Sequence, residues 1–188
     1  KVPSFVNKVM FSGEIMPVKH YNIWKQFLPN AQFINLYGPT EITCNCTYYP
    51  LDSSKDYEQG IPIGTSFKNE KVFLLDEHNN LVEQTTSDEL GEICVSGTAL
   101  GLGYYNNSDK TNEAFVQNPI NHLYNERIYR TGDLGKYDSA GNLYYVTRKD
   151  FQIKHLGHRI ELFEIEHITD SIETIVRSCC VYDYEKKR

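Results

Sequence analysis

The chain has 188 residues, 40% of them hydrophobic, with 14 Tyr, 9 Phe and 1 Trp and a formal net charge of −6. That supplies a core for one domain or two small ones, and the acidic balance argues against a nucleic-acid-binding surface. No run approaches the roughly 20 apolar residues of a membrane span, and no leader peptide is visible at Lys1-Val2-Pro3-Ser4, so a cytoplasmic protein with no membrane partner is expected.

Val6 to Ser12 reads as a buried strand closing at Gly13-Glu14. Pro17 suits the first turn of a following helix, whose Tyr21, Trp24, Phe27 and Leu28 recur at three-to-four spacing before Pro29-Asn30 stops it. Gln32 to Leu36 is the next strand. Strand, helix, strand predicts a βαβ unit with its two strands parallel. Gly13 and Tyr37 would then follow the carboxyl ends of neighbouring strands, where open α/β sheets place their ligands.

The second strand delivers the chain to Asn35-Leu36-Tyr37-Gly38-Pro39-Thr40-Glu41. Gly38 permits a close backbone approach or a positive φ, and Pro39 fixes its own φ and removes a donor. The bend presents a carboxamide, an aromatic face, a hydroxyl and a carboxylate. Tyr37 can stack on a base, Thr40 can donate to a phosphate oxygen, and Glu41 can hold Mg²⁺. The alternative is an ordinary strand-to-turn corner whose polar residues face water.

Cys44 to Leu51 reads as a strand-like exit, and Asp52 to Gln59 as an exposed polar loop. Val72 to Leu75 is a strand with Glu77 to Asn80 as its turn, and Ile93 to Val95 is another. Gly97, Gly101 and Gly103 mark a loop of special backbone angles, and Ser108 caps a short helix through Phe115. Asp138 to Asn142 is a hairpin turn between Lys136-Tyr137 and Leu143 to Val146. Short strands with turn signals predict a distorted barrel or sandwich. Beyond Asp150, Phe151 to Lys154 is a short strand and Glu161 to Val176 an amphipathic helix with Leu162, Ile165, Ile168, Ile172 and Val176 on one stripe. Ser178 to Tyr182 is a closing strand. The five cysteines lack both a disulfide framework and a second pair at metal-ligand spacing, so reduced, mostly buried thiols are expected.

Four stretches, in order, carry a resemblance. They are Asn35 to Glu41, then Gly91-Glu92-Ile93-Cys94-Val95-Ser96-Gly97, then Tyr129-Arg130-Thr131-Gly132-Asp133-Leu134-Gly135, then Asp150 to Lys154 running into Gly157-His158-Arg159-Ile160-Glu161-Leu162. Together they resemble the adenylate-forming enzyme superfamily, and within it the amino-acid-activating branch of nonribosomal peptide synthetase adenylation domains and D-alanine–carrier-protein ligases. The resemblance runs from Phe11 to about Val176. It implies an α/β plus β fold in three parts: residues 1–60 as the C-terminal part of a parallel α/β nucleotide-binding layer, 61–149 as a distorted β-barrel subdomain entered through Ile61-Pro62-Ile63-Gly64, and 150–188 as the start of a small, mobile α+β domain.

The resemblance also implies roles. Gly13, Glu14, Asn35, Leu36, Tyr37, Gly38, Pro39 and Thr40 would meet the adenine and phosphates, with Tyr145. Asp133, in what reads as a glycine-flanked turn, would accept both ribose hydroxyls; the alternative is a turn-capping Asp. Arg148 would contact phosphate or ribose, although Thr147 stands where the family usually has Gly; otherwise it is a solvated surface Arg. Thr40, Glu41 and Arg148 would serve catalysis, with Glu41 as the Mg²⁺ ligand. Ser12, Leu36 and Cys44 fall where acyl-pocket walls lie, although Cys44 reads equally as a core thiol. Asp150 matches the hinge of the small domain. Lys154 matches a basic residue near the nucleotide and reads equally as a solvent-facing strand lysine.

The implied reaction has two steps: a carboxylic or amino acid attacks the α-phosphate of Mg·ATP, and a carrier-protein phosphopantetheine thiol then displaces AMP. Ile160-Glu161-Leu162 is the amino-acid-activating form and favours a carrier protein over coenzyme A. An acyl-CoA ligase of the same superfamily is the alternative, as is a non-catalytic module binding nucleotide or carrier protein. Family members are over twice this length. No Gly-rich phosphate loop or terminal Gly-Lys segment is present, and Lys186 and Lys187 lack that context. A fragment without appreciable turnover by itself is expected.

Overall fold

The computed structural model describes residues 3, 5–58, 60–85, 89–150 and 152–183, with the backbone alone of Phe163. Two compact units divide the chain, Lys1–Thr147 and Arg148–Arg188.

The first unit opens with strand β1 (Lys8–Phe11), helix α1 (Val18–Phe27) and strand β2 (Gln32–Tyr37). β1 and β2 pair in parallel, Phe11 opposite Asn35; a crossover helix is what parallel pairing of consecutive strands demands. Strands β3 (Thr47–Pro50) and β4 (Thr65–Ser66) follow antiparallel, giving the order β1-β2-β3-β4. The sheet is therefore mixed. β1 is half-buried to exposed rather than buried, because it is an edge strand with one neighbour. Only part of the expected α1 stripe faces inward. Tyr21 is buried edge-on to Phe33 (5.3 Å) and Tyr57 (5.8 Å), and Leu28 is buried, while Trp24 and Phe27 are exposed.

Two loops depart from expectation. Thr43 and Cys44 take φ of 57° and 88° after a 3₁₀ turn at Thr40–Ile42, so the exit strand starts only at Thr47. The segment after Leu51 is pinned by buried Tyr57, whose hydroxyl accepts the Asp52 N–H at 2.8 Å; Gln59 lies outside the described residues.

A second sheet holds β5 (Glu70–Leu75), β6 (Leu81–Val82), β7 (Gly91–Gly97), β8 (Phe115–Gln117), β9 (Arg127–Tyr137) and β10 (Leu143–Arg148). Its order is β10-β9-β7-β5-β6, with β8 on β9. Central β7 is buried along six of its seven residues, and Leu74, Ile93, Val95 and Tyr129 form the core with Tyr37 and Ile42. Ile61 to Gly64 is not a free connector: the Ile63 N–H donates to the Leu143 carbonyl at 2.8 Å, and a Cβ on Gly64 (φ 84°) would meet the Tyr48 carbonyl oxygen at 2.1 Å. Helix α2 (Ser108–Ala114) precedes β8. Its cap is Asn107, not Ser108, since the Asn107 Oδ1 accepts the Lys110 N–H at 3.1 Å.

In the second unit β11 (Gln152–His155) and β12 (His158–Glu161) form an antiparallel hairpin. Its two-residue turn, Leu156-Gly157, has φ of 50° and 80°, the left-handed pair that a tight hairpin needs. Leu156 gives no turn signal, and β12 was not expected; Phe151, expected to open the first strand, lies outside the described residues. Helix α3 (Leu162–Asp170) ends six residues short of Val176. No strand forms at Ser178 to Tyr182. The N–H groups of Ser178 and Cys180 go instead to the carboxylates of Asp170 (2.5 Å) and Glu166 (2.7 Å), so α3's own side chains take bonds a neighbouring strand would need.

Candidate functional site

The site is built at the carboxyl ends of the parallel pair. β2 ends at Tyr37, and the chain folds back so that the Cys46 N–H donates to the Tyr37 carbonyl at 2.8 Å. Gly38 serves this close approach and needs no positive φ: a Cβ there would lie 2.5 Å from the Asn45 Cα and 2.8 Å from the Cys44 carbonyl oxygen. Along β2, Phe33, Asn35 and Tyr37 share the buried face, and Leu36 lies on the other. The Asn35 Nδ2 donates to the Pro62 carbonyl at 2.8 Å, fastening β2 to the stretch before β4.

The Tyr37 hydroxyl donates to the Asp133 Oδ2 at 2.5 Å across 96 residues of sequence. Asp133 is 5% exposed. It does not sit in a turn. It lies within β9, where Glu92 faces Leu134 and Cys94 faces Arg130, so one residue of β7 opposes Thr131, Gly132 and Asp133. The bulge is held by the Thr131 Oγ1, which donates to the Ile93 carbonyl (2.7 Å) and accepts the Asp133 N–H (3.0 Å), and Gly132 takes φ 72°. Such a bulge re-aims a side chain, here toward Tyr37. Burial, then the charge and hydrogen bond of Asp133, push the Tyr37 phenol well above its usual range, which keeps it a neutral donor. The Tyr37 ring packs in the core with Ile42, Cys46, Phe115 and Tyr129.

Glu41 lies in the 3₁₀ turn beside exposed Thr40 and is 8% exposed. Its Oε1 accepts the Tyr104 hydroxyl at 2.6 Å, and its carbonyl accepts the Gly101 N–H at 2.8 Å. Tyr104 escaped the sequence reading; its only signal was the surrounding glycine-marked loop. Asn45 was missed too. It joins two predicted pocket residues, accepting from the Ser12 Oγ at 2.6 Å and donating to the Cys44 Sγ at 3.4 Å. Gly13 (φ 94°) and Glu14 are exposed on the loop after β1. Tyr145, in β10, packs half-buried against the core.

In the second unit, the Arg148 Nε and Nη2 each donate to a different oxygen of Asp150 at 2.6 Å. Asp150 also accepts the Gln152 N–H at 3.1 Å. Burial raises the Asp150 carboxyl, but the hydrogen bonds and charge of Arg148 outweigh it and hold it below its usual value. Lys154 is exposed on β11 opposite Arg159. All five cysteines are free; only Cys46 and Cys94 are buried, so the expectation of mostly buried thiols is corrected for Cys44 and Cys179, which are exposed. Among the described residues no three His, Cys, Asp or Glu side chains gather as a metal site, and no helix is long and apolar enough to cross a membrane.

Residues 1–105 match the family described as AMP-binding enzyme. The chain belongs to that family. It is 38% identical over 164 residues to Surfactin synthase subunit 1 of Bacillus subtilis (strain 168), a match covering 87% of this chain and 4% of that protein. Its fold superposes on holo-PA1221, an NRPS protein containing adenylation and PCP domains bound to a vinylsulfonamide inhibitor, with a TM-score of 0.86 and 31% identity over 94% of this chain and 30% of that one. The Vibrio cholerae adenylation domain AlmE in complex with glycyl-adenosine-5'-phosphate gives a TM-score of 0.79 and 28% identity over 95% and 34%. The chain thus spans at most 34% of any of these three proteins. Within this AMP-binding enzyme chain, the matched residues 1–105 hold Gly13, Tyr37, Glu41 and Tyr104, and Asp133 reaches them from β9.

Proposed function

We propose that the protein is an ATP-dependent, AMP-forming ligase that activates an amino acid and passes it to the phosphopantetheine thiol of a carrier protein. One observation carries the reading: the 2.5 Å Tyr37–Asp133 bond joins two motifs far apart in sequence at the carboxyl end of a parallel strand pair, the place where open α/β sheets bind nucleotides. The naming of PA1221 as a protein of adenylation and PCP domains, and of AlmE as an adenylation domain holding an aminoacyl adenylate, supports the same chemistry.

In this reading residues 1–60, 61–149 and 150–188 are the nucleotide-binding layer, the β-barrel subdomain and the start of a mobile domain. Gly13, Glu14 and the Asn35 to Pro39 bend border the adenine with Tyr145, and Asp133 accepts the ribose hydroxyls. Thr40, exposed at the start of the 3₁₀ turn, donates to a phosphate oxygen. Glu41 offers one carboxylate, which fits Mg²⁺, an ion commonly held by one or two carboxylates plus substrate phosphates. The bound ion would neutralise phosphate charge. Ser12, Leu36 and Cys44 wall the substrate side chain. The substrate carboxylate oxygen attacks the α-phosphorus and pyrophosphate leaves; the thiol sulfur then attacks the acyl carbon, loses its proton, and AMP leaves with the bonding pair. The chain's contribution is positioning and charge complementarity.

The test is calorimetric titration of the chain with AMP and with Mg·ATP, repeated on Asp133→Ala, alongside amino-acid-dependent pyrophosphate exchange by the full-length protein. Binding lost in the variant and exchange in the full-length protein support the reading. A full-length protein that exchanges pyrophosphate with no amino acid overturns it.

A further inference from the structure

We infer that Tyr104 is a positioning residue for Glu41, holding its carboxylate in the orientation that receives the cation of a metal–nucleoside triphosphate; this rests on the function proposed above. Glu41 stands in a 3₁₀ turn of three residues, followed by Thr43 in the left-handed region. A single turn of this kind gives a side chain little intrinsic fixity, so its orientation must come from elsewhere in the fold. The loop after β7 supplies it twice. The Gly101 N–H donates to the Glu41 carbonyl at 2.8 Å, and the Tyr104 hydroxyl donates to its Oε1 at 2.6 Å. The first contact explains Gly101: a Cβ there would lie 2.9 Å from that same carbonyl oxygen.

Tyr104 is itself held. Its N–H donates to the Thr111 Oγ1 at 2.9 Å, its ring meets Phe115 edge-on at 5.6 Å, and its hydroxyl lies 3.5 Å from that of Tyr129. With its backbone and ring held, the Tyr104 hydroxyl bonded to a carboxylate makes a strong, charge-assisted contact. Holding one carboxylate oxygen sets the plane of the group and hence the direction in which the other points. Tyr104 thus acts on the nucleotide only through Glu41.

The test titrates the full chain with AMP in EDTA, with ATP in EDTA and with ATP in Mg²⁺, for the unaltered protein, Tyr104→Phe, Glu41→Gln and the double variant. Tyr104→Phe keeps the ring against Phe115, and its AMP affinity reports that the site is folded. The expected result is unchanged AMP affinity and an about tenfold smaller gain in ATP affinity on adding Mg²⁺, the size of one lost charge-assisted bond. Glu41→Gln should reproduce that loss, and the double variant should add nothing to it. A full Mg²⁺ gain in Tyr104→Phe overturns the inference, as does a parallel loss of AMP and Mg·ATP, which marks a merely structural role. An unaltered chain that binds neither nucleotide removes the site and the inference together, whereas AMP binding with an intact Mg²⁺ gain in the variant sinks the inference alone.

Discussion

Arg148 and Asp150 grip each other through two parallel hydrogen bonds of 2.6 Å, the guanidinium 13% and the carboxylate 48% exposed. The residue read as a nucleotide contact is thus engaged by the residue read as the hinge. A phosphate and Asp150 would compete for one planar fork. Asp150→Asn should raise AMP affinity about two- to fivefold, in keeping with a half-exposed ion pair worth about 0.5–1 kcal/mol. Calorimetry checks it; unchanged affinity would mean that Arg148 and the nucleotide do not meet.

Tyr37→Phe leaves the buried Asp133 carboxylate without this donor. Stability should fall by about 2–3 kcal/mol, read as a lower urea midpoint at unchanged slope. The phenol's raised pKa adds a sign: a proton bound more tightly in the folded state stabilises it below the unfolded tyrosine value near 10, and that stabilisation is lost as pH rises above it. The phenylalanine variant should lack this alkaline loss. Equal stability of the two proteins would refute the pairing.

Glu126 organises the loop before β9. It accepts from Lys71 (2.8 Å), Asn121 (2.8 Å), Asn118 (2.9 Å) and Ser96 (3.1 Å). The bonds from Lys71 and Asn121 lead in pulling its carboxyl from 4.5 down to about 2, against the opposing effect of burial. A depressed carboxyl stabilises the fold above its unfolded pKa and loses that stabilisation as pH falls from about 4.5 to about 2. Acid titration of stability should show this limb, and Glu126→Gln should flatten it.

The thiols should sort by burial. Cys44 and Cys179 are exposed and should react with a neutral disulfide reagent at pH 8 in the folded chain. Cys46 and Cys94 are buried, and burial followed by the charges of Glu70 and Asp133 pushes the Cys46 thiol up to about 12. Both should react only on denaturation. Fast labelling of Cys46 in the native protein would contradict the packing at the end of β2.

How much was legible in the sequence follows from which interactions are local. Hydrophobic period and turn chemistry alone determined the βαβ unit, the Asp138 to Asn142 hairpin turn and the placement of Tyr37 at a strand's carboxyl end, since each depends on residues within a few positions of one another. Ordered motifs determined the family. Contacts between distant segments decided the rest. The Asp133 bulge exists because β9 pairs with β7, the burial of Tyr57 because it meets Tyr21, the role of Gly38 because residues 44–46 fold onto it, and the Glu41–Tyr104 bond because the loop after β7 returns to the 3₁₀ turn. At Ser178 and Cys180 the carboxylates of Asp170 and Glu166 take the backbone donors that a last strand would need. The partners of the Glu41–Tyr104 bond and of the β9–β7 pairing lie tens of residues apart along the chain, and only the tertiary fold brings them together.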